Sequence, residues 1–437
     1  MKGSIELKRT LNVFDATSIG IGAIVGAGIF VVTGISAGLA GPAVVLSVLI
    51  SGAIASLTAL SFAELSSAIP KEGGAYAYAH ETISPFAGFM VGWLWLISNI
   101  VAGAAISIGL ASYIAILIPI LPVKMIAIFA CIIVTLVNLF GIKESSLVNN
   151  VLVLVKISVL FFFIAVGMFH LTPKNLVPLM PNGWISVFQG AALIFFAYAG
   201  FARITTVAEE VKNPERTIPM SIMLSLGICM VLYTLTSFTA VGLVSYRDLA
   251  SSGSPLSDAA MATGNPLASL VVTLGAVTAT TSVLLTTIIG LSRVTFAMSR
   301  NLQLPRVVGK VHARFRTPYI SIIMVGAAMT LLASFADLGQ VVAVSSFASL
   351  CYYAITNVSA LLLRKRNRTR IRTFKVPLYP IFPLLGLASC IMLIFFLTYD
   401  SILVGMVAAI AGGVYYFLRK QVALGSRSSR QHDQGMS

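Results

Sequence analysis

Apolar runs of about 20 residues recur along the whole sequence and constrain its fold more than any other feature. A run of that length can cross the hydrocarbon core of a bilayer as one α-helix, because a helix rises about 1.5 Å per residue. Twelve such runs lie at 11–37, 41–67, 86–115, 124–142, 147–170, 184–207, 217–244, 266–298, 318–335, 339–363, 377–398 and 400–418. The chain has 10% charged residues, against about 25% in soluble domains, so we predict a multi-pass membrane protein.

Lysine and arginine residues are concentrated in every second loop between the predicted spans, and this pattern indicates the orientation of the chain. Cytoplasmic loops of membrane proteins hold an excess of these residues. With the N-terminus inside, 24 of the 29 basic residues are cytoplasmic, three are outside, and Lys156 and Arg203 lie within spans. Topology thus accounts for the net charge of +15, and no nucleic-acid partner is expected. Residues 1–10 and 421–437 are predicted to be cytoplasmic, the latter as a disordered tail.

The sequence carries no pattern that indicates catalysis. It has no phosphate-binding Gly-Lys-Ser/Thr loop and no metal-ligand spacing. The four cysteines lie in apolar spans without paired spacing, so neither disulfides nor a metal site is expected. We therefore expect no enzyme activity, no catalytic residues, no cofactor and no metal. Function must reside among the helices of a single transmembrane domain over 11–420.

Four glycines fall within nine residues of the first span, from Gly20 to Gly28. Each glycine costs about 1 kcal/mol of helix stability relative to alanine, so the helix is predicted to break here. Irregular backbone at membrane depth is tolerated where it lines a cavity, and in transporters such broken helices hold the ligand. The alternative is a packing face at Gly22 and Gly26.

Gly200 predicts a second break, in the sixth span. The first and sixth helices correspond if the chain has two halves of five helices, and paired interruptions point to a transporter site. Arg203 follows, and an arginine inside a span is costly unless it meets a cavity or a partner. The alternative is that Arg203 extends to the cytoplasmic interface near Glu209 and Glu210.

Lys156 is a second basic residue deep within a span, about a third of the way into the fifth. No acidic residue lies within a helical turn of it. A lysine that faces the interior of the bundle can carry a proton. The alternative is a lysine near the helix end that reaches back to water.

Five groups of motifs follow one another in the sequence. They are Val-Gly-Ala-Gly-Ile-Phe at 25–30; Phe-Ala-Glu-Leu at 62–65 with Pro-Lys-Glu-Gly-Gly-Ala-Tyr at 70–76; Asn-Leu-Phe-Gly-Ile-Lys at 138–143; Phe-Ala-Tyr-Ala-Gly-Phe at 196–201 with Glu-Glu-Val-Lys-Asn-Pro at 209–214; and Ser-Arg at 292–293 and 299–300 with Thr-Pro at 317–318. Together they resemble the amino acid, polyamine and organocation transporter superfamily, and its cationic amino acid transporter branch in particular. The similarity covers residues from about 8 to 400.

The resemblance implies an all-α membrane protein with 12 transmembrane helices. They would form a five-plus-five inverted repeat with broken helices 1 and 6, plus two C-terminal helices. Repeat one would cover about 11–170, repeat two about 184–363, and the extra helices about 377–418. Such a bundle alternates between outward-open and inward-open states, and a monomer is sufficient because one bundle contains one complete pathway, although oligomers are compatible with the fold.

The resemblance also implies an amino acid site at the broken helices. N–H groups that start a half-helix would bind the substrate carboxylate, namely those of Gly26, Ala27 and Gly28. The carbonyls of Ile24, Phe196 and Ala199 would bind the substrate ammonium, because helix C-termini leave carbonyl groups unpaired. Phe196 would also serve as an aromatic gate over the substrate.

Lys156 matches a fifth-helix lysine that, in proton-coupled relatives, stands in for a sodium ion. Its implied neighbours are oxygen ligands, the backbone carbonyls near Gly22 and Val25 and the hydroxyls of Thr281 and Ser282. Protonated Lys156 would tie the first, fifth and eighth spans together, and loss of the proton would loosen that contact.

Ala202 stands where many relatives carry an acidic residue, and Ser98-Asn99 stands where the cationic branch tends to have Glu-Tyr. Because Arg203 would repel a cation, we expect a neutral amino acid such as alanine or serine, with Asn99 in its site. An anionic substrate paired with Arg203 is the alternative. The predicted activity is proton symport across the plasma membrane; an obligate exchanger on the same fold, or a cationic amino acid or polyamine carrier, are the alternatives.

Overall fold

The computed structural model describes residues 9–70, 73–141, 146–315, 317–366 and 372–434. Residues 1–8 of the predicted N-terminal segment, residues 435–437 of the predicted tail, and motif positions 71–72 and 142–143 lie outside these ranges. Within them the regular structure is helical, apart from one isolated bridge between Leu11 and Val211. The prediction of an all-α protein is confirmed for this part of the chain.

The α-helices follow the predicted spans in order. In the first half they are α1 Val13–Ile24, α2 Thr33–Ala40, α3 Val44–Ala68, α4 Ala75–Thr82, α5 Pro85–Leu117, α6 Val123–Leu139 and α7 Ser146–Gly167. In the second half they are α8 Gly183–Tyr198, α9 Pro214–Leu243, α10 Tyr246–Ser251, α11 Pro255–Met261, α12 Pro266–Arg300, α13 Tyr319–Phe335 and α14 Leu338–Arg366. The last two are α15 Ile381–Ile394 and α16 Tyr399–Gln434.

Each predicted span coincides with one helix or with consecutive helical segments. Eight helical stretches of the described chain are long and apolar enough to cross a membrane, and the first, Val13–Ala68, contains two predicted spans. The shorter apolar helices α6, α13 and α15 coincide with three more. Length and composition thus agree with a multi-pass membrane protein.

Large apolar side chains cover parts of the outer surface. Phe161 is 66% exposed, Phe335 is 81% exposed and Ile410 is 64% exposed. Contiguous apolar surface is unfavourable in water but suits contact with lipid chains. Inside the bundle, small side chains let helices approach, and Ser47 and Ser51 of α3 donate hydrogen bonds to backbone carbonyls of α8.

The first span is broken at its glycine cluster, as predicted. Helix α1 ends at Ile24, and Val25 is extended with φ −77° and ψ 100°. The chain then re-enters helical structure as a π-helix over Gly28–Val32, which leads into α2. Because N–H groups at a helix start have no carbonyl partner in their own helix, the break presents donors beside the carbonyl end of α1.

The sixth span changes its helical pitch instead of unwinding. Helix α8 ends at Tyr198, and Ala199–Glu210 continues as a 3-10 helix that is non-helical at Val207. The predicted break at Gly200 is corrected to a change of helix type. One glycine weakens the α-helix less than four do, so the backbone keeps hydrogen bonds in the tighter 3-10 form.

The last helix is longer than the predicted span. Helix α16 continues to Gln434, through residues 421–434, where the sequence analysis predicts a disordered tail. That segment contains no proline and a single glycine, so it has no strong signal for ending a helix.

Candidate functional site

Two glycines allow the first and sixth spans to cross at backbone contact. A Cβ atom at Gly28 would lie 2.5 Å from the Cα atom of Ala197. A Cβ atom at Gly200 would lie 2.5 Å from the carbonyl carbon of Ala23 and 2.7 Å from the nitrogen of Ile24. All of these distances are shorter than those that real Cβ atoms keep from their neighbours, so only glycine fits at either position. The glycines thus serve helix packing as well as helix interruption.

Replacing Gly200 with alanine is expected to push the two spans apart and to lower both transport and thermal stability. The clash is with backbone atoms, which cannot rotate away as a side chain can. Gly227→Ala of α9 is the matched control, because a Cβ atom there meets no atom within 4 Å and alanine favours a helix. Thermal unfolding of both purified variants measures the difference, and equal midpoints would contradict the role of Gly200.

A cavity of about 520 Å³, open solvent included, lies where these spans cross. Helices α5, α8, α12 and α14 complete its wall. It is lined by all the residues predicted to bind substrate: Ile24, Gly26, Ala27, Gly28, Asn99, Phe196 and Ala199. The structure therefore brings together, around one space, residues from three separate parts of the sequence.

Tyrosine hydroxyls hold the carbonyl groups at this crossing. The hydroxyl of Tyr233 donates to the carbonyl oxygen of Ile24 at 2.8 Å, and that of Tyr353 donates to the carbonyl oxygen of Ala199 at 2.7 Å. Each carbonyl oxygen has a second lone pair for another donor. Neither tyrosine was predicted from the sequence, although a hydroxyl within an apolar span requires a partner.

A cluster of small hydroxyl side chains lines another part of the cavity. The Ser98 hydroxyl lies 2.7 Å from that of Ser349 and 3.1 Å from the carbonyl oxygen of Ser345. Tyr352 and Trp95 also line the space. Ser98 stands out in the sequence only as a departure from the cationic branch, and Ser345 and Ser349 were not predicted, because serine within an apolar span usually bonds to its own helix and gives no sequence signal of a site.

Arg203 also lines the cavity. Its guanidinium donates to the Thr287 hydroxyl at 2.6 Å, the Thr286 hydroxyl at 3.2 Å and the Asn99 side-chain oxygen at 3.3 Å. These bonds direct the guanidinium toward α5 and α12, whereas the alternative places Arg203 near Glu209 and Glu210.

Ala202 does not line this cavity. It lines a smaller space of about 300 Å³ with residues such as Tyr76, Gly92 and Thr205. Trp95 lines both spaces. The position where relatives carry an acidic residue is therefore adjacent to the cavity, and its effect on the substrate stays a prediction.

Lys156 is fully buried, which excludes the alternative of a lysine that reaches water. Its ammonium donates to the carbonyl oxygen of Gly22 at 2.9 Å, and this bond joins α7 to α1. Gly22 lets the helices approach, since a Cβ atom there would lie 3.0 Å from the Val153 side chain. Two further residues predicted around the ammonium, Val25 and Ser282, are buried, and Thr281 is half-buried. The roles of these three stay predictions.

Comparison with known proteins gives matches over nearly the whole chain. The sequence model of the amino acid permease family matches residues 11–416. A branched-chain amino acid permease of Bacillus subtilis is 35% identical over 436 residues, which cover 95% of this chain and 94% of the relative. A methylthioribose transporter of Bacillus subtilis is 33% identical over 434 residues, with the same coverage of 95% and 94%.

A vacuolar cationic amino acid transporter of Arabidopsis thaliana is 34% identical over 386 residues, which cover 83% of this chain and 64% of the relative. All three relatives are named as membrane carriers, so this protein is a transporter and not an enzyme. The resemblance carried by the five groups of motifs is thereby confirmed. The chain belongs to the amino acid permease family, within the amino acid, polyamine and organocation superfamily.

Proposed function

We propose that the protein carries neutral L-amino acids across the plasma membrane together with protons, by alternating access. The family and the relatives named as amino acid carriers support the amino acid as substrate. The observation that supports proton coupling is that the ammonium of Lys156 is fully buried and lies 2.9 Å from the Gly22 carbonyl oxygen. The proposed participants are one small amino acid, protons and the lipid bilayer, without a cofactor.

The proposed architecture has twelve spans, with repeat one over about 11–170 and repeat two over about 184–363. Helices α15 and α16 are the two additional spans of this arrangement. The agreement between predicted spans and observed helices supports it. The excess of basic residues in alternate loops supports cytoplasmic termini, and the cavity within one chain supports a monomer as the transporting unit.

The broken first span suits both charged groups of an amino acid. N–H groups at the start of the second half-helix, around Gly26 to Gly28, carry a partial positive charge and would receive the carboxylate. The carbonyl of Ile24, at the end of α1, keeps one lone pair beside the Tyr233 hydroxyl and would receive the ammonium, whereas the carbonyl of Ala199 already accepts from Tyr353 and from its own 3-10 helix. A zwitterion therefore finds complementary backbone groups on opposite sides of one break.

Lys156 would link proton binding to the position of the broken helix. When protonated, it holds Gly22, which lies two residues before the end of α1. A neutral amine is a weaker donor, so deprotonation frees α1 to move relative to α7. Because α1 also ends at the substrate cavity, proton release and substrate release would favour the same movement.

Two alternative activities are compatible with the same fold. In an obligate exchanger Lys156 would be a permanent structural cation, and transport would require substrate on both sides. A carrier of cationic amino acids or polyamines would resemble the plant relative in its name. Arg203 in the cavity disfavours the second activity because it repels a cationic side chain.

Uptake into proteoliposomes distinguishes these activities. Purified protein is tested with a panel of labelled amino acids, in empty or amino acid-loaded vesicles, with and without an inward proton gradient. We expect gradient-driven accumulation of a neutral amino acid in empty vesicles. Uptake only into loaded vesicles would establish exchange, and uptake confined to lysine or polyamines would overturn the neutral substrate.

A further inference from the structure

Arg203 is a charged group of the cavity that the proposed proton coupling does not use. Its three hydrogen bonds all go to neutral acceptors, on Asn99 of α5 and on Thr286 and Thr287 of α12. Within the described part of the chain, no carboxylate pairs with it. A guanidinium has five N–H donors, and these bonds use three of them.

The charge of Arg203 is unbalanced within the cavity wall. The other lining side chains carry no formal charge. Arg203 is half-buried, and a cation inside a membrane-spanning bundle is costly unless an opposite charge or further hydrogen bonds compensate it. The neutral partners on α5 and α12 hold the planar guanidinium in place, and the compensating acceptor is therefore expected on the ligand.

The hydroxyl cluster of Ser98, Ser345 and Ser349 lines the same space as Arg203 and adds polar surface to the cavity. A purely aliphatic side chain bound here would leave the remaining Arg203 donors without a partner, which costs binding free energy. A substrate with an oxygen in its side chain would satisfy them, while its carboxylate and ammonium occupy the backbone groups of the break.

We infer that Arg203 sets the substrate class of this site: it binds an oxygen acceptor on the substrate side chain and excludes side chains that carry positive charge. The acceptor is a carboxylate, as in glutamate, or a neutral amide or hydroxyl, as in glutamine or serine. This inference rests on the proposed amino acid transport and adds the side-chain chemistry to it: glutamine or serine keeps the proposed neutral substrate, whereas stronger binding of glutamate would replace it with an anionic one.

The test measures how glutamate, glutamine, leucine and lysine raise the thermal unfolding midpoint of the purified full-length protein in detergent. For the wild type we expect glutamate or glutamine to bind about tenfold or more tightly than leucine, with no binding of lysine. In Arg203→Met the preference over leucine is lost and lysine gains binding. In Arg203→Lys lysine stays excluded, but the preference weakens because an ammonium lacks the planar fork.

Arg293→Gln is the control, since Arg293 is 65% exposed and lies outside the cavity lining; its binding profile should match the wild type. If Arg203→Met does not fold, Arg203→Gln removes the charge while keeping an amide donor. A binding profile in these variants equal to the wild type overturns the inference. Absence of binding by these four amino acids and also by alanine and serine in the wild type would instead contradict the proposed function, and the stronger of glutamate and glutamine identifies the acceptor.

Discussion

Replacing Lys156 with alanine is expected to abolish proton-driven accumulation of amino acid. The ammonium is fully buried and holds the Gly22 carbonyl, so its loss removes both the proton carrier and the bond between α7 and α1. Uptake into empty proteoliposomes under an inward proton gradient measures the effect. Lys156→Met separates charge from volume, because methionine fills much of the same space without a titratable group.

Lys174→Ala is the matched control for this experiment. Lys174 is exposed in a short 3-10 helix outside the bundle, so removing its charge should leave accumulation unchanged. Both Lys156 variants should still exchange amino acid between loaded vesicles and the medium if the cavity is intact. Accumulation against a concentration gradient by Lys156→Ala would contradict the coupling role of this lysine.

Glu64 lies near the C-terminal end of α3, at the centre of a buried charged cluster. The Arg364 guanidinium donates to both carboxylate oxygens at 2.7 Å, and the backbone nitrogen of Val376 donates at 2.8 Å. A nitrogen of Arg372 lies 3.6 Å from the same carboxylate. The Glu64 side chain is only 1% exposed, so the cluster fastens α3 to α14 and to the segment that follows α14.

Replacing Glu64 with glutamine is expected to destabilise the protein by about 3 kcal/mol or more, because it removes the buried carboxylate that holds the Arg364 guanidinium through two hydrogen bonds. The matched control is Glu210→Gln, which alters a partly exposed pair at 4.0 Å and should cost about 1 kcal/mol or less. Thermal unfolding of the detergent-purified variants gives the comparison. Equal shifts of the unfolding midpoint in both variants would show that the buried cluster stabilises the protein no more than the partly exposed pair does.

The sequence predicted those features that depend on local composition. Apolar length located the spans, and four glycines in nine residues located the break after Ile24. The single glycine at position 200 could not distinguish a break from a change of helix type, because the outcome depends on the segments that pack against the sixth span. The depth and direction of Arg203 were equally undetermined, because a long side chain can reach either water or the cavity.

The tyrosine partners of the first and sixth spans could not be predicted from spacing. Tyr233 and Ile24 are 209 residues apart in the sequence and meet only because α9 packs against α1. The same holds for the serine cluster, whose members lie on α5 and α14. Such pairings are properties of the assembled bundle, whereas periodicity and composition describe one segment at a time.

Trp95 lies between two compartments, the cavity that contains Arg203 and the smaller space beside Ala202. A single indole ring thus forms part of the partition between these two spaces. Trp95 is only 8% exposed, so its ring is held by the packed side chains around it and can turn only when the surrounding helices move. We expect the size of Trp95 to determine how tightly the two spaces are sealed from each other, and movement of the helices, which takes microseconds to milliseconds, to determine when that seal opens.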